Sequence, residues 1–546
     1  MGELKKRIEG DLSVDEEILA LHSHDASIFE VKPELVIFPK NSKDVSEVVK
    51  FVNENKASSE NISVTGRSAG TDMSGGPLTQ SISISFTKYM NRLFSIKNKT
   101  ARFQPGMYYR DFEDETLARG LIFPSYPASK EICAMGGIVN NNSGGEKSLE
   151  YGKTENFITS YKIVLSDGKE HIIKPLSETE LDTKMKKRDF EGEIYRKMFN
   201  LISKNYDLIK AAKPKVSKNS AGYYLWNVYD KENKIFDLTR LIVGAQGTLG
   251  IVTEATLKLV ETKRFSEMMI IFLNNLDHLG DVINDVLPLE PESFETYDDH
   301  TLKLAVKFFP EFAKKLGTKN AIETGWHFLP EFFMVASGGV PKLILQVEFT
   351  GDSRHELGEK IEKLRAKLTP YKLKMRVAPN KNSEKKYWSI RRESFNLLRQ
   401  KIRDKHTAPF IDDFAVKPEY LKEFLPKLNK IFEKYPELIY TIAGHLGDGN
   451  FHIIPLMNLQ DPKQRAIIPK LADEVFNLVL KYHGTTSGEH NDGIIRTPYL
   501  RKMYGSRICR LFEKTKEIFD PDNIFNPGKK VRGNINFAMD HIRSSW

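Results

Sequence analysis

Two histidines, His445 and His452, flank a Gly-Asp-Gly turn sequence, and Glu489 and His490 follow after a segment with helical periodicity. The apolar segments 438–443 and 451–456 predict two strands, and the turn between them predicts a hairpin. A hairpin can bring together two residues that would point to opposite faces of a single strand. Two histidines and a carboxylate with one free position form the ligand set of a catalytic divalent metal. In that arrangement Glu489 completes the set, and His490 is an unligated base beside it.

The same residues have a simpler interpretation. The sequence contains 13 histidines, and most histidines in a protein of this size lie on the surface or in the core without a ligand. The Gly-Asp-Gly turn and the Glu-His pair favour a metal site. The residue types alone leave both interpretations open.

Three glycine-rich loops, at residues 66–76, 136–145 and 244–251, are the second feature that could carry chemistry. Glycines let backbone N–H groups converge, and such concavities bind phosphate oxygens. The first loop has neither the G-x-G-x-x-G dinucleotide fingerprint nor a Walker lysine. One such loop could be a structural turn, but three of them suit one extended anionic cofactor such as a dinucleotide.

Strands and helices must position these loops. Residues 33–38 predict a buried strand, and the valine spacing over 45–52 predicts an amphipathic helix with Ser42 as its N-cap. Residues 175–235 are charged and largely helical in pattern, which is typical of an insertion. Beyond about residue 262, strand patterns alternate with long amphipathic helices, which predicts an α+β fold with an antiparallel sheet.

Composition narrows the class of protein. The 546 residues predict roughly two to four domains. No apolar stretch reaches the length of about 18 residues that a transmembrane helix needs, and the charged segment 1–11 lacks the apolar region of a signal peptide. The two cysteines, Cys133 and Cys509, fit a reducing compartment and are too few for a cysteine-ligated iron–sulfur cluster. We therefore expect a cytoplasmic protein.

The chain is moderately basic. Lysine and arginine exceed aspartate and glutamate by 9, with 82 against 73, and the basic residues are spread along the chain apart from a run at 184–188. This distribution indicates a solvated surface rather than a nucleic-acid site, although it permits weak attraction to an acidic protein or lipid. We expect no nucleic-acid partner and at most peripheral contact with the inner face of a membrane.

The three loops, in this order, resemble the FAD-binding domain of the vanillyl-alcohol oxidase and p-cresol methylhydroxylase (PCMH) superfamily, over about residues 30–262. The segment 519–529 resembles the one that returns to the flavin in that superfamily. The motifs His-x-Gly-Asp-Gly-Asn-x-His at 445–452 and Ser-Gly-Glu-His at 487–490 are similar to those of FAD-linked D-2-hydroxyacid dehydrogenases. Members of that family act on D-lactate, glycolate or D-2-hydroxyglutarate. The resemblance covers nearly the whole chain.

The resemblance implies an α+β protein in which a PCMH-type FAD-binding domain of two subdomains is followed by an α+β substrate domain, or cap, with an antiparallel sheet. The implied domains are an N-terminal helical segment 1–32, the FAD-binding domain 33–262 with its insertion at about 175–235, the cap domain 263–505, and a C-terminal segment 506–546 that returns to the flavin.

The resemblance assigns the three loops to FAD. The first would hold the pyrophosphate, the second would line the flavin and its ribityl chain, the third would contact the adenosine side, and Asn526 would approach the isoalloxazine. The first loop contains no histidine or cysteine, so we expect non-covalent FAD, with Cys133 a small buried apolar residue. The implied cofactor-binding residues are Arg67, Ser68, Ala69, Gly70, Thr71, Ser74, Gly75, Gly136, Gly137, Asn140, Ser143, Gly144, Gly247, Gly250, Ile251 and Asn526.

The resemblance also favours the metal interpretation. His445, His452 and Glu489 match the metal ligands of the family, with zinc as the first choice and manganese or iron as alternatives. His490 matches the family's proposed base. A metal that holds the hydroxyl and carboxylate of the substrate acidifies the hydroxyl and orients Cα, while His490 accepts the proton.

Two further residues are implied catalytic candidates. Arg391, in a Trp-Ser-Ile-Arg segment that resembles the family's Trp-x-x-Arg, would bind the substrate carboxylate, with Arg392 and Arg67 as weaker alternatives. Asn450 would donate a hydrogen bond to the substrate, and Asp448 would shape the turn or support a ligating histidine. The segment 409–413 lacks the basic residue that hydroxyglutarate dehydrogenases have there. We therefore expect D-lactate first, with glycolate and D-2-hydroxyglutarate still open.

The predicted activity is the oxidation of a small D-2-hydroxy acid to the 2-oxo acid by an FAD- and metal-dependent dehydrogenase. The hydride goes to flavin N5, and the electrons pass to an acceptor other than oxygen: a quinone, an electron-transfer flavoprotein or a separate iron–sulfur subunit. One alternative is a transferase resembling alkylglycerone-phosphate synthase, but the sequence lacks the run of active-site histidines of that enzyme. The other is a non-catalytic flavoprotein subunit, which should have lost the metal ligands or the base.

Overall fold

The computed structural model describes residues 2–299, 301–303, 340–401 and 405–544, with the backbone alone for 393–401. Its strands, in chain order, are β1 Asp11–Ser13, β2 Leu35–Phe38, β3 Val64–Arg67, β4 Ile82–Ser85, β5 Leu93–Lys97, β6 Thr100–Phe103, β7 Leu121–Ile122, β8 Ile158–Val164, β9 Glu170–Ile173, β10 Leu176–Ser177, β11 Tyr229–Asp230, β12 Ile235–Phe236, β13 Ile251–Lys258, β14 Val260–Glu261, β15 Phe265–Leu273, β16 Ser293–Asp298, β17 Leu343–Gly351, β18 Lys374–Val377, β19 His406–Thr407, β20 Phe414–Ala415, β21 Ile442–His445, β22 Asn450–Ile453 and β23 Leu456–Met457.

The α-helices of the same residues are α1 Gly2–Arg7, α2 Glu16–His22, α3 Ser42–Asn55, α4 Tyr109–Leu117, α5 Met135–Asn141, α6 Ser148–Tyr151, α7 Glu178–Lys186, α8 Phe190–Lys204, α9 Tyr206–Ala211, α10 Thr239–Ile242, α11 Leu279–Val286, α12 Arg354–Leu368, α13 Lys381–Lys401, α14 Leu421–Phe432, α15 Pro462–Arg465, α16 Ile467–Lys481, α17 Gly493–Arg496, α18 Leu500–Phe519 and α19 Ile535–Asp540. None of these helices is both long enough and apolar enough to cross a bilayer.

The first loop lies in a four-stranded sheet of order β1-β2-β4-β3. Strands β2, β4 and β3 are parallel, and residues 66–76 leave the carboxyl end of β3. The apolar side of α3 is buried against this sheet through Val45, Val48, Val49 and Val52. The prediction of Ser42 as the N-cap of α3 is wrong by one residue. The cap is Asn41, because its extended backbone lets its side chain accept from the backbone N–H of Asp44.

The other two loops adjoin a five-stranded antiparallel sheet of order β5-β6-β13-β8-β9. The third loop leads directly into its central strand β13, and the second loop includes α5. The predicted insertion contains α7, α8 and α9, but also the short strands β10, β11 and β12. Its apolar side chains join the core of the five-stranded sheet and pack against α18.

A seven-stranded antiparallel sheet of order β18-β15-β17-β16-β21-β22-β20 lies in the second half of the chain. It confirms the predicted α+β class with an antiparallel sheet. Strands β21 and β22 are the predicted hairpin, but β21 covers 442–445 instead of 438–443. The strand starts later because the backbone N–H of Leu438 donates to the carbonyl oxygen of Tyr435 in a turn, and Ile439 makes only an isolated bridge to Leu456. The predicted domain boundaries stay predictions.

Candidate functional site

A cavity of about 940 Å³ lies between the three glycine-rich loops and the hairpin end of the seven-stranded sheet. Most of the residues predicted to bind a cofactor line it. They are Ser68, Ala69, Gly70, Thr71, Gly136, Gly137, Asn140, Ser143, Gly144, Gly247, Gly250 and Ile251. The predicted catalytic and metal-binding residues that line the cavity are Arg391, His445, His452, Glu489 and His490.

Hydrogen bonds fix the three loops to one another. The Asn140 carboxamide oxygen accepts from the backbone N–H of Gly247 at 3.2 Å, and the Asn141 carboxamide donates to Asp72 at 3.1 Å. Gln246 donates to the hydroxyl of Ser74 at 3.1 Å. The loops therefore form one wall, although they come from distant parts of the chain.

Glycine keeps this wall open for a ligand at two positions. A Cβ added at Gly137 or Gly247 would meet no atom closer than 4.0 Å and would enter the cavity. The wall thus exposes backbone at these points, as binding of a pyrophosphate or a flavin requires. Its shape and its amide and hydroxyl groups fit FAD.

Four predicted cofactor residues do not line the cavity. Arg67 turns away from it and donates to the carbonyl oxygen of His24 at 2.8 Å. Ser74 donates to Asp72, and Gly75 packs against Phe29. Asn526 donates to the carbonyl oxygens of Gly76 and Gln246 at 2.9 and 2.7 Å. Their positions therefore suit them to hold the first and third loops in place from behind.

Cys133 lines the cavity and is buried, as predicted for a small apolar side chain. Burial raises the pKa of its thiol to about 12. Non-covalent attachment of FAD stays a prediction.

The hairpin brings His445 and His452 together. Ala443 pairs with His452 in the register of β21 and β22, and His445 lies two residues further on the same face. Their ring centroids are 5.3 Å apart. The ring of His490 stacks on that of His452 with centroids 5.1 Å apart, so three histidines border one end of the cavity.

A buried carboxylate lies behind each histidine. The Nδ1 of His445 lies 2.7 Å from Glu295 Oε1. The two oxygens of Asp412 face the Nδ1 atoms of His452 at 3.0 Å and of His490 at 2.6 Å. An ionised carboxylate only accepts, so each Nδ1 carries the proton. Nε2 is then the nitrogen available to a metal or a proton, which is the usual arrangement around a metal-bound histidine.

Glu489 supplies the carboxylate of the predicted ligand set. Its Oε1 lies 3.2 Å from His445 Nε2 and pairs with the ammonium group of Lys218. Asp413 also lies within 4.8 Å of the potential ligand atoms of His452, Glu489 and His490. Its oxygens, however, accept from Ser487, Asn450 and the backbone N–H groups of Glu489 and His490.

Because its lone pairs are used in this way, Asp413 anchors the loop that carries Glu489. The group of potential ligand atoms that lie within 4.8 Å of one another comprises Asp413, His452, Glu489 and His490 and leaves out His445. Among the described residues, Nε2 of His445 lies 3.2 Å from Glu489 Oε1. The residue types of His445, His452 and Glu489 fit a divalent metal with an open position, and the metal stays a prediction.

The electrostatics of the cluster favour bound positive charge. Burial lowers the pKa of His490, but Asp413 and Asp412 more than compensate and raise it to about 9. Burial also lowers the pKa of His445, and Glu295 reverses that effect so that the net change is upward. Burial raises the pKa of Glu489, but Lys218 and His445 outweigh it and hold that pKa well below its ordinary value.

Of the two other predicted catalytic residues, Arg391 lines the cavity and Asn450 does not. Arg391 is ion-paired with Glu295, and its buried Nε has no hydrogen-bond partner among the residues that the structure describes. Asn450 is fully buried, and its carboxamide donates to Asp413 Oδ1 at 3.2 Å and to the carbonyl oxygen of Phe414 at 3.1 Å. The position of Asn450 is that of a support for Asp413.

Sequence reasoning missed three supporting residues. Glu295 and Asp412 hold the histidine rings, and Lys218 pairs with Glu489. The adjacent acids Asp412 and Asp413 after an apolar segment were a usable signal, because consecutive carboxylates are unusual in a buried strand. Glu295 and Lys218 gave no local signal.

Two family models match the chain. The model of an FAD binding domain matches residues 33–174, and the model of the C-terminal domain of FAD linked oxidases matches residues 262–530. These matches confirm the predicted resemblance and the presence of an FAD-binding domain.

Named relatives agree with these models. D-2-hydroxyglutarate dehydrogenase of Pseudomonas putida is 27% identical over 95% of this chain and 50% of that protein. D-lactate dehydrogenase of Anaerostipes hadrus is 27% identical over 94% of each chain. This chain spans about half the length of the first hydroxyglutarate dehydrogenases that it matches.

The structure of p-cresol methylhydroxylase with substrate bound matches 98% of both chains with a TM-score of 0.66 and 13% identity. At this identity the likeness concerns the fold alone, and it confirms the predicted PCMH-type architecture.

Proposed function

Because this chain belongs to the family of FAD-linked oxidases, we propose that it oxidises a small D-2-hydroxy acid to the 2-oxo acid with non-covalent FAD and a divalent metal. One observation carries the proposal. Three histidines, each with Nδ1 within 3.0 Å of a buried carboxylate oxygen, border the same cavity as the three glycine-rich loops. The relatives named as 2-hydroxyacid dehydrogenases support the choice of reaction.

His445, His452 and Glu489 would hold the metal, and the loop residues that line the cavity would hold FAD. When bound, FAD supplies a hydride acceptor and the metal supplies a Lewis acid that acidifies an alcohol. Zinc is our first choice of metal, with manganese or iron as alternatives.

His490 would accept the hydroxyl proton of the substrate at Nε2. Asp412 holds the ring through Nδ1 and stabilises the imidazolium that forms. Asp412 is fully buried, whereas the side chain of His490 is 21% exposed at the cavity, so the base can reach a substrate. A cation bound at Glu489 would lower the pKa of His490 from about 9 toward neutral pH, because like charges repel.

Arg391 would bind the substrate carboxylate. Its Nε has no hydrogen-bond partner in the described part of the chain, so the guanidinium keeps a donor although it is paired with Glu295. Glu295 also faces His445, so one carboxylate sets the positions of the arginine and of a metal ligand. Arg391, which would bind the substrate carboxylate, and the metal ligand His445, which would help to bind the hydroxyl, are therefore positioned by the same residue, Glu295.

The lining at this end favours a short 2-hydroxy acid that carries no second carboxylate. Among the described lining residues, both arginines are paired, Arg391 with Glu295 and Arg392 with Glu146. The neutral residues here are Thr407, Thr441, Ala443 and Ile454. We therefore place D-lactate first, ahead of glycolate and D-2-hydroxyglutarate. We propose a quinone, an electron-transfer flavoprotein or a separate iron–sulfur subunit as electron acceptor.

An anaerobic flavin-bleaching screen tests this function. The FAD-loaded protein is mixed with D-lactate, L-lactate, glycolate, D- and L-2-hydroxyglutarate, and absorbance near the flavin maximum is followed. We expect D-lactate to bleach the flavin fastest and both L-acids to leave it oxidised. Absence of bleaching by every 2-hydroxy acid would contradict the proposed function.

Metal removal tests the proposed role of the divalent metal. Because the metal contributes several kcal/mol to the transition state, chelation or His452→Ala should slow flavin reduction at least about a hundredfold while FAD stays bound. His355→Ala is the control, since His355 has a side chain 85% exposed and lies outside the cavity. Unchanged bleaching after chelation would remove the metal from the mechanism.

A further inference from the structure

The segment predicted as a charged insertion places one lysine inside the candidate metal site. Lys218 has a side chain only 1% exposed. Its ammonium group pairs with Glu489 Oε1, lies 3.2 Å from Asp448 Oδ2 and donates to the carbonyl oxygen of Gly145 at 3.2 Å. Because buried charges are costly unless they are paired, the ammonium group stabilises the ionised forms of both carboxylates.

The oxygen of Glu489 that pairs with Lys218 is also the one that lies 3.2 Å from His445 Nε2. The carboxylate assigned to the metal thus already has a cation partner. A divalent ion beside Glu489 and the ammonium group of Lys218 would repel each other in a medium where charges are weakly screened.

We infer that Lys218 is the built-in counter-ion of Glu489 and that it competes with the metal for this carboxylate. It neutralises the buried acids when no metal is bound, and it weakens metal binding. Lys218 acts through Glu489 and is a positioning residue. The inference rests on the metal site of the proposed function.

Lys153 offers a matched control. It is also buried, and its ammonium group donates to the carbonyl oxygens of Asn219 at 2.5 Å and Gly488 at 2.6 Å. It therefore joins the same two loops that carry Lys218 and Glu489. Within the part of the chain that the structure describes, no carboxylate lies within 4.0 Å of its Nζ. A general loosening of these loops would appear in Lys153→Met, whereas the loss of an ion pair in direct contact with Glu489 would not, because the ammonium group of Lys153 acts on Glu489 only over a longer distance.

The test measures Zn²⁺ affinity of the FAD-loaded, chelator-treated full chain by competition with a chromogenic chelator. The proteins are the wild type, Lys218→Met, Lys218→Gln and Lys153→Met. We expect the dissociation constant for Zn²⁺ to fall at least about tenfold in both Lys218 variants, because a repelling charge is gone. We expect no tighter binding in Lys153→Met.

Thermal unfolding gives a second readout. Without Zn²⁺ the Lys218 variants should melt below the wild type, since Glu489 and Asp448 lose their counter-ion, and Zn²⁺ should raise their melting temperature more than that of the wild type. Equal or weaker Zn²⁺ binding in the Lys218 variants would overturn the inference. So would failure of both variants to fold in the presence of Zn²⁺, because the metal should replace the missing charge.

One further comparison separates this inference from its premise. If the wild type and His452→Ala bind Zn²⁺ equally, the proposed metal site itself is wrong, and the inference is overturned with it. If His452→Ala alone loses Zn²⁺ while the Lys218 variants match the wild type, only the inference is wrong.

Discussion

Each histidine of the site owes its orientation to a carboxylate on a different segment. Glu295 on β16 faces His445, and Asp412 before β20 faces both His452 and His490. A carboxylate at Nδ1 fixes the tautomer and leaves Nε2 as the nitrogen that binds a metal or accepts a proton. The shared Asp412 also couples one proposed metal ligand to the proposed base.

The proposed base leads to a prediction at this scale. His490→Gln should slow flavin reduction by a D-2-hydroxy acid by about 10²–10⁴-fold, because the hydroxyl proton loses its acceptor, with FAD content unchanged. The neutral imidazole is the active form, and Asp413 and Asp412 outweigh burial to raise its pKa to about 9. With a cation bound at Glu489 this pKa should be lower. Wild-type reduction should therefore speed up as pH rises through the lowered pKa of His490, and the variant should lose this dependence.

Anaerobic stopped-flow measurements across pH check this prediction. His355→Gln changes an exposed histidine and should behave like the wild type. Flavin reduction by His490→Gln at the wild-type rate would assign the proton to another acceptor.

At the scale of elements, the hairpin and the loop 487–490 form one unit held by Asp413. Asp413 accepts from the backbone N–H groups of Glu489 and His490, and Asn450 on β22 donates to it. The hairpin therefore positions Glu489 as well as its own two histidines. A change in the turn should disturb all of these groups together.

Gly449→Ala tests this dependence. Gly449 has φ of +62°, and an added Cβ would lie 1.8 Å from the carbonyl oxygen of Val416. The left-handed backbone and the steric overlap should together cost more than about 2 kcal/mol of unfolding free energy. Metal content should fall with it. Denaturant unfolding and metal analysis measure the two effects.

The matched control is Gly358→Ala in α12, where an added Cβ meets nothing within 4 Å. It should stabilise the protein by about 0.5–1 kcal/mol, because alanine favours the helix. If Gly449→Ala kept wild-type stability and metal content, the hairpin turn would not be what sets the site.

At the scale of the whole molecule, the cofactor wall depends on the chain returning to it near its end. Phe525 bridges to Val64 at the start of β3, and Asn526 donates to carbonyl oxygens of the first and third loops. Lys516 on α18 donates to the carbonyl oxygen of Thr248 in the third loop at 2.8 Å. The C-terminal segment therefore holds the first and third glycine-rich loops in place from outside the cavity.

Asn526→Gly isolates this contribution. Glycine accepts the φ of +40° at this position, so the change removes the carboxamide without backbone strain. Loss of two donated hydrogen bonds and one from Thr65 should cost roughly 2–3 kcal/mol of stability and should weaken FAD binding. FAD fluorescence titration and thermal unfolding measure these losses.

Asn523→Gly provides the control, because Asn523 has φ of +51° but is only half-buried and does not line the cavity. It should leave FAD affinity unchanged. Equal FAD affinity in Asn526→Gly and the wild type would mean that the loops hold their shape without this link.

Local chemistry explains what the sequence determined by itself. Apolar runs and the Gly-Asp-Gly turn predicted the hairpin, so the meeting of His445 and His452 followed from the strand period. Glycine content predicted the three loops, and motif order led to FAD and to the family. These features are encoded within a few residues of each other, so the sequence alone carries them.

The tertiary structure decided which residues support the site. Glu295 faces His445 because β16 and β21 pair in one register, and Lys218 reaches Glu489 because the insertion packs against distant loops. Packing likewise put Arg67, Asn450 and Asn526 outside the cavity, although they lie in the motifs. Strand register and packing bring together residues that are far apart in the chain, and these long-range contacts cannot be predicted from local patterns of apolar or turn residues.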